Sequence, residues 1–177
     1  MTNGLFPPDP PIESFEQFEQ KRQGQESNIA GKLLEEAIEN AFKRRGILVT
    51  RYQSVGEGLD LFEKRMLVRN APYKSIYGAD SFSEFQYRHT NLRVRIECRS
   101  QQVPGSVDEK FPYLLMNAQN AMPEAFVWFV LEGIGARAKA IAWLKQQAAQ
   151  TRGKTIRVLT LAEAQRAIKH LVERGVG

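Results

Sequence analysis

The chain has 177 residues, 42% hydrophobic and 25% charged, enough for one domain with a real core. Its formal net charge of +5 and pI near 9.4 favour a polyanionic partner, of which nucleic acid is the commonest. The longest apolar run, Ala125 to Leu131, is far shorter than the roughly 20 residues that cross a bilayer. The single cysteine, Cys98, excludes an intrachain disulfide and a zinc cluster built on thiolates. The N-terminus has neither a basic start nor an apolar signal core, so a cytoplasmic protein with no membrane attachment is expected.

Residues 1–12 are rich in proline and read as a flexible lead-in to a single domain over residues 13–177. Phe15 and Phe18, three apart, suit a short amphipathic helix over residues 13–23. Ser27 or Asn28 can cap a second helix that stops before Gly46, with Lys43, Arg44 and Arg45 in its last turn. Ile47 to Tyr52 reads as a strand. Gly56 to Arg69 is ambiguous, and a short helix over Leu59 to Arg65 is the reading adopted. Ser83 to His89 and Leu92 to Gln101 form a hairpin across Thr90-Asn91, followed by a loop from Gln102 to Ser106. Asp108 to Met122 fits a helix with Pro112 near its first turn. Glu124 to Glu132 is a buried strand, Ala136 to Ala149 a helix of good helix formers, Thr155 to Leu159 a strand and Leu161 to Arg174 a helix. This order predicts an α/β domain, a mixed sheet of about five strands with helices on both faces.

Certain carboxylates occupy unexpected positions. On the helix before Gly46, Leu34, Ile38, Ala41 and Phe42 make one apolar face, with Glu36 and Glu39 directed away from it. Glu35 falls between Leu34 and Phe42, where a carboxylate costs several kcal/mol unless it is paired or coordinating. In the hairpin, alternation puts Arg93, Arg95, Glu97, Arg99 and Gln101 on one side of their strand, and Glu84, Gln86 and Arg88 on one side of its partner. One face can therefore gather Glu84, Glu97, Arg99 and Gln101. Two readings stay open: a solvated face of alternating charges, or a divalent-cation site. In the second, Glu84 and Glu97 hold the ion, Arg99 neutralises a phosphate and Glu35 is a third acid.

The stretches Gly31-Lys32-Leu33-Leu34-Glu35, then Asp80 or Glu84, then Glu97-Cys98-Arg99, together resemble the PD-(D/E)XK, or restriction-endonuclease-like, nuclease superfamily. Those enzymes carry a Glu on a helix, an acid on one strand and a (D/E)-x-K on the next. QQVPGSVDEKFPYLLMNA and FVLEGIGARAKAIAWL resemble a bacterial and phage branch of it, so the likeness spans roughly residues 28–160. The pattern departs from the family in two ways. Arg99 replaces the lysine; an arginine stays charged and cannot act as a base. No Pro-Asp pair precedes the first strand acid; Glu84 is preferred there because it stands nearly opposite Glu97 across the turn, with Asp80 the fallback ligand.

The resemblance implies a single restriction-endonuclease-like domain that hydrolyses DNA phosphodiester bonds with Mg²⁺, or Mn²⁺ in its place. Glu84 and Glu97 would be the metal ligands, Arg99 would stabilise the scissile phosphate, and Glu35 would be an accessory acid. Gln101 or Gln102 would orient the water. Gly105 and Ser106 in the following loop, Lys110 on the next helix, and Arg137 and Lys139 after Gly133-Ile134-Gly135 are the expected DNA contacts. That glycine segment lacks the spacing of a nucleotide-binding loop and reads as a strand-to-helix turn. Cys98 and both tryptophans, Trp128 and Trp143, read as core. The expected partner is duplex or branched DNA, with sequence selection left to loops such as Val55 to Ala79, and a homodimer is the natural way to cut both strands. The rival readings are a catalytically weakened DNA-binding relative and an RNA-processing nuclease.

Overall fold

A computed structural model describes residues 15–55, 65–101, 106–133 and 137–175. The expected lead-in, the helix proposed up to Arg65 and most of the loop after Gln101, Gly105 included, lie outside the described residues, as do Ile134 to Ala136. Arg65 itself is not helical.

The first element is one helix, α1 (Phe15–Lys43), and not the two predicted. Glutamines, glutamates and lysines of high helix propensity carry it past Ser27 and Asn28, so no cap is used there. It stops as expected before Gly46, whose φ of +71° suits a residue without a Cβ. Then follow β1 (Leu48–Arg51), the single turn α2 (Tyr52–Val55), β2 (Met66–Lys74), β3 (Asp80–His89) and β4 (Leu92–Ser100). The chain continues with α3 (Ser106–Asn120), β5 (Phe126–Glu132), α4 (Ala138–Ala149), β6 (Thr155–Leu159) and α5 (Leu161–Arg174). Pro112 lies inside α3, past the first turn. The last strand and helix have the predicted bounds, and a capping box of Thr160 and Glu163 fixes the start of α5.

The six strands lie in sequence order, β1 to β6, so the sheet has one strand more than expected. The additional strand is β2. Its Met66-Leu67-Val68 start is buried on both faces and carries no alternation by which to find it. Pairing is antiparallel for β2–β3 and β3–β4 and parallel for β1–β2, β4–β5 and β5–β6, which makes the sheet mixed. On one face α1 and α5 bury Leu34, Ile38, Ala41 and Phe42 against Phe85, Tyr87, Val94, Ile96 and Trp128. On the other, α3 and α4 cover Val127, Phe129, Leu131, Ile156 and Val158. Among the described residues no helix is long and apolar enough to cross a membrane.

The polar side of β4 is not a solvated face. It lies on the α3 side, where Arg95 and Glu97 are completely or almost completely buried. Arg95 is held there by Glu124, Nε to Oε2 at 2.6 Å and Nη2 to Oε1 at 2.7 Å, and by the Ala71 carbonyl and Ser83 hydroxyl. Gln86 also donates to Glu124.

Candidate active site

The site begins where two strands part. The β3–β4 ladder runs from His89↔Leu92 back to Phe85↔Ile96. Beyond it, β3 continues against β2 as far as Lys74↔Asp80, while β4 continues against β5 as far as Ser100↔Glu132. Divergence leaves the amide of Cys98 without a strand partner, and it donates instead to Glu84 Oε2 at 2.9 Å. A side chain thus completes the ladder at the fork. Glu84 belongs to a second irregularity: it and Asn70 stand between the pairs Arg69↔Phe85 and Ala71↔Ser83, and Asn70 takes a φ of +54°. Asparagine tolerates that left-handed conformation better than most residues, but inside a strand it still stores strain.

Arg99 bridges the two strand acids. Its Nη1 donates to Glu84 Oε1 at 2.7 Å and its Nη2 to Glu97 Oε2 at 2.5 Å. Glu97 is 0% exposed, and its other oxygen, Oε1, has no hydrogen-bond partner among the described residues. Burial dominates its ionisation and, with the Glu84 charge, pushes its pKa up to about 8 against the pull of Arg99 and Arg95. The two carboxylates hold Arg99 firmly charged although it is largely enclosed. Glu35, half-buried on α1, has its pKa raised by burial and then by Glu84, while Arg69, Arg99 and Lys32 oppose the shift. Cys98 packs into the α1 core as expected, and burial followed by the Glu84 and Glu35 charges pushes its thiol well up.

The structure therefore brings Glu84, Glu97 and Arg99 into direct contact and puts Glu35 within their electrostatic field. Among the described residues no group of three or more His, Cys, Asp or Glu side chains is placed to hold a metal, so Glu35 does not join the two strand acids as a ligand set. Gln101 is buried just past β4, its amide bonded to the Glu132 carbonyl at 2.9 Å. Asp80 is 89% exposed at the start of β3, paired with Lys74 and four residues along the strand from Glu84. Ser106 opens α3, and Lys110 is exposed on it. Lys110 and Arg99 line one cavity of about 330 Å³ with Tyr73, Phe111, Tyr113, Leu114 and Asn117. Arg137, exposed, takes Asp108 as partner, its amide to Oδ2 at 3.2 Å; Lys139 is exposed at the start of α4. Glu39, expected to face water, is mostly covered and pairs with Lys43 and Arg69.

A family model described as the PD-(D/E)XK nuclease superfamily domain matches residues 26–171, which is most of the chain. The chain belongs to the PD-(D/E)XK nuclease superfamily. No curated relative and no solved structure gives a significant match. In this superfamily the helix-borne Glu35 and the fork acids Glu84 and Glu97 occupy the expected order along the chain.

PD-(D/E)XK nucleases typically use divalent metal ions, and the fork's donors suit one. Glu84 and Glu97 share the Arg99 guanidinium, and burial pushes the Glu97 pKa up to about 8, so a divalent cation here would favour the ionised form of both carboxylates. The acceptor left over, Glu97 Oε1, is a hard oxygen buried without a partner among the described residues. Two carboxylate ligands, completed by water, match the usual Mg²⁺ donor set.

Sequence reading missed Tyr73, Tyr113, Asn117 and Asn70. Tyr73 sits on the unrecognised β2; burial, then the Glu97 charge, pushes its pKa up to about 12, so it stays a protonated phenol beside the acids. A helical-wheel reading of α3 places Tyr113 and Asn117 four apart on one side, which was the available signal.

Proposed function

We propose that this protein is a Mg²⁺-dependent endonuclease acting on DNA, with Glu84 and Glu97 as the metal ligands. The observation that supports this most is Glu97: a fully buried carboxyl group with one oxygen unpartnered among the described residues, its other oxygen sharing the Arg99 guanidinium with a second acid. Such a group is costly in a merely structural role, because burying a polar oxygen without a hydrogen-bond partner costs free energy. The ion, when bound, supplies a water of lowered pKa and polarises the phosphate.

The chain's own residues do the rest. Glu84 and Glu97 would hold the cation, and Arg99, which now bridges them, would offer its two donors to the scissile phosphate. Its permanent charge stabilises the oxyanion but cannot take a proton. Glu35, its pKa raised by burial and by Glu84, would accept one through water. Lys110, Arg137 and Lys139 give the backbone electrostatic contacts, with Ser106 at the start of α3.

The same Arg99 geometry favours a second reading, a DNA-binding relative whose guanidinium permanently fills the cation's place. Supercoiled-plasmid cleavage in Mg²⁺ or Mn²⁺ tests both. Metal-dependent nicking that falls about 100-fold or more in Glu97→Ala is the expected result. No cleavage by the wild type, with DNA binding intact and cleavage appearing in Arg99→Lys, would establish the binder. Cleavage of RNA in place of DNA under the same conditions would move the substrate class.

A further inference from the structure

Two stacked tyrosine rings adjoin the cavity that Arg99 and Lys110 line, through Tyr113. Tyr77, in the turn between β2 and β3, is 79% exposed, and Tyr113, on α3, is 38% exposed. Their ring centroids are 5.6 Å apart and the planes differ by 12°, so the rings stack with the outer face of Tyr77 open to solvent.

The turn is built to keep them there. Ser75 N–H bonds to the Ala79 carbonyl at 2.9 Å, Gly78 N–H to the Ser75 carbonyl at 2.8 Å, and the Ser75 hydroxyl accepts from Ala79 N–H. The buried Asn117 of α3 reaches across with Oδ1 to accept the Ile76 N–H at 2.9 Å. Gly78, with a φ of +76°, closes the turn. Ser75 and Asn117 lie by the Tyr113 hydroxyl and lower its pKa. An exposed ring so fixed has lost its conformational freedom before any partner arrives.

Tyr113 also walls the cavity that Arg99 and Lys110 line, and Arg99 is the side chain that bridges Glu84 and Glu97. Cationic side chains beside a flat aromatic platform are the two halves of a nucleotide-binding surface: the cations take phosphate and the ring takes the base.

We propose that the Tyr77–Tyr113 stack is a base platform, on which an unpaired nucleobase next to the cleaved phosphodiester lies against the open face of Tyr77. This rests on the nuclease reading and deepens it by naming the substrate class: DNA with an unpaired nucleotide at the cleavage position, such as a flap or branch. In continuous duplex each base is already stacked on both sides, and presenting one to Tyr77 requires unstacking it.

The test uses three fluorescein-labelled DNA probes of one sequence: a continuous duplex, a duplex with a single-stranded flap, and the same flap with abasic sites beside the junction. Binding is read by anisotropy with Ca²⁺, and cleavage with Mg²⁺. The wild type should bind and cut the base-bearing flap about tenfold better than either other probe. Tyr77→Ala should erase that preference, whereas Tyr77→Phe and Tyr77→Trp should keep it. Tyr77 is exposed, so these variants fold, and Tyr77→Phe separates the ring from its hydroxyl. Equal affinity for base-bearing and abasic flaps, or an unchanged preference in Tyr77→Ala, overturns the platform while leaving the nuclease reading standing. Failure to bind or cut any of the three probes overturns both.

Discussion

Glu97 concentrates the chemistry of the fork at the scale of one residue. Its folded pKa, near 8, lies above the ordinary value of 4.5, so between those limits the folded protein holds a proton that the unfolded chain has released. The stability linked to this group is therefore fully present below about pH 4.5 and is lost as pH rises through about 8. In metal-free protein, Glu97→Gln should be more stable than the wild type at about pH 8.5, and the difference should shrink towards about pH 5. Urea unfolding at both values checks this; a difference that stays the same at both would mean that Glu97 is ionised in the metal-free fold. The residue's candidacy as a site acid came from the sequence Glu97-Cys98-Arg99. Its complete burial was not legible there, because alternation assigns a side of a strand without saying what covers that side. The cover, α3, comes from tertiary packing.

Elements set where the fork opens. The end of β4 is fixed by close approach: a Cβ on Gly133 would stand 2.1 Å from the Gln101 carbonyl oxygen, and Gly133 has a φ of +103°. Only a glycine lets the chain leave β5 against the backbone that carries Gln101, whose amide bonds to Glu132. Gly133→Ala should thus cost about 1–3 kcal/mol in urea unfolding and lower cleavage by pushing the end of β4 aside. An unchanged melt with full activity would show that this contact is not needed. In sequence, Gly133 was read as part of a strand-to-helix turn whose residues 134–136 lie outside the described residues, and nothing local announced the backbone contact. The hairpin, β6 and α5 were legible because alternation, turn residues and amphipathic spacing agreed there. β2 was not, since Met66-Leu67-Val68 is buried on both faces and Asn70 then breaks the strand's regularity. Missing β2 hid Tyr73 and made the turn bearing Tyr77 look like part of a long loop.

Across the whole molecule, one buried guanidinium ties neighbouring strands together. Arg95 of β4 reaches the Ala71 and Pro72 carbonyls of β2, the Ser83 hydroxyl of β3 and both oxygens of Glu124, which precedes β5. Tyr73 lies against its guanidinium, 5.2 Å from ring centroid to Cζ. The strands that diverge to form the fork are thus clamped on the face that α3 covers. Burial opposes the Glu124 charge, but hydrogen bonds from Arg95 more than offset it and hold the carboxyl below its ordinary pKa. Removing one partner leaves the other charged and buried, so Arg95→Met should cost about 3–5 kcal/mol, a large share of the roughly 5–15 kcal/mol that holds a domain together. Arg95→Met with Glu124→Leu should recover much of that loss, since two apolar side chains leave no stranded charge. A double-mutant cycle by urea unfolding measures the coupling. Additive single effects would mean that the clamp is only packing. A positive coupling with one cooperative transition in every variant would mean that the fork and both layers unfold together, so that the geometry of Glu84, Glu97 and Arg99 is held by a pair on which none of the expected chemistry depends.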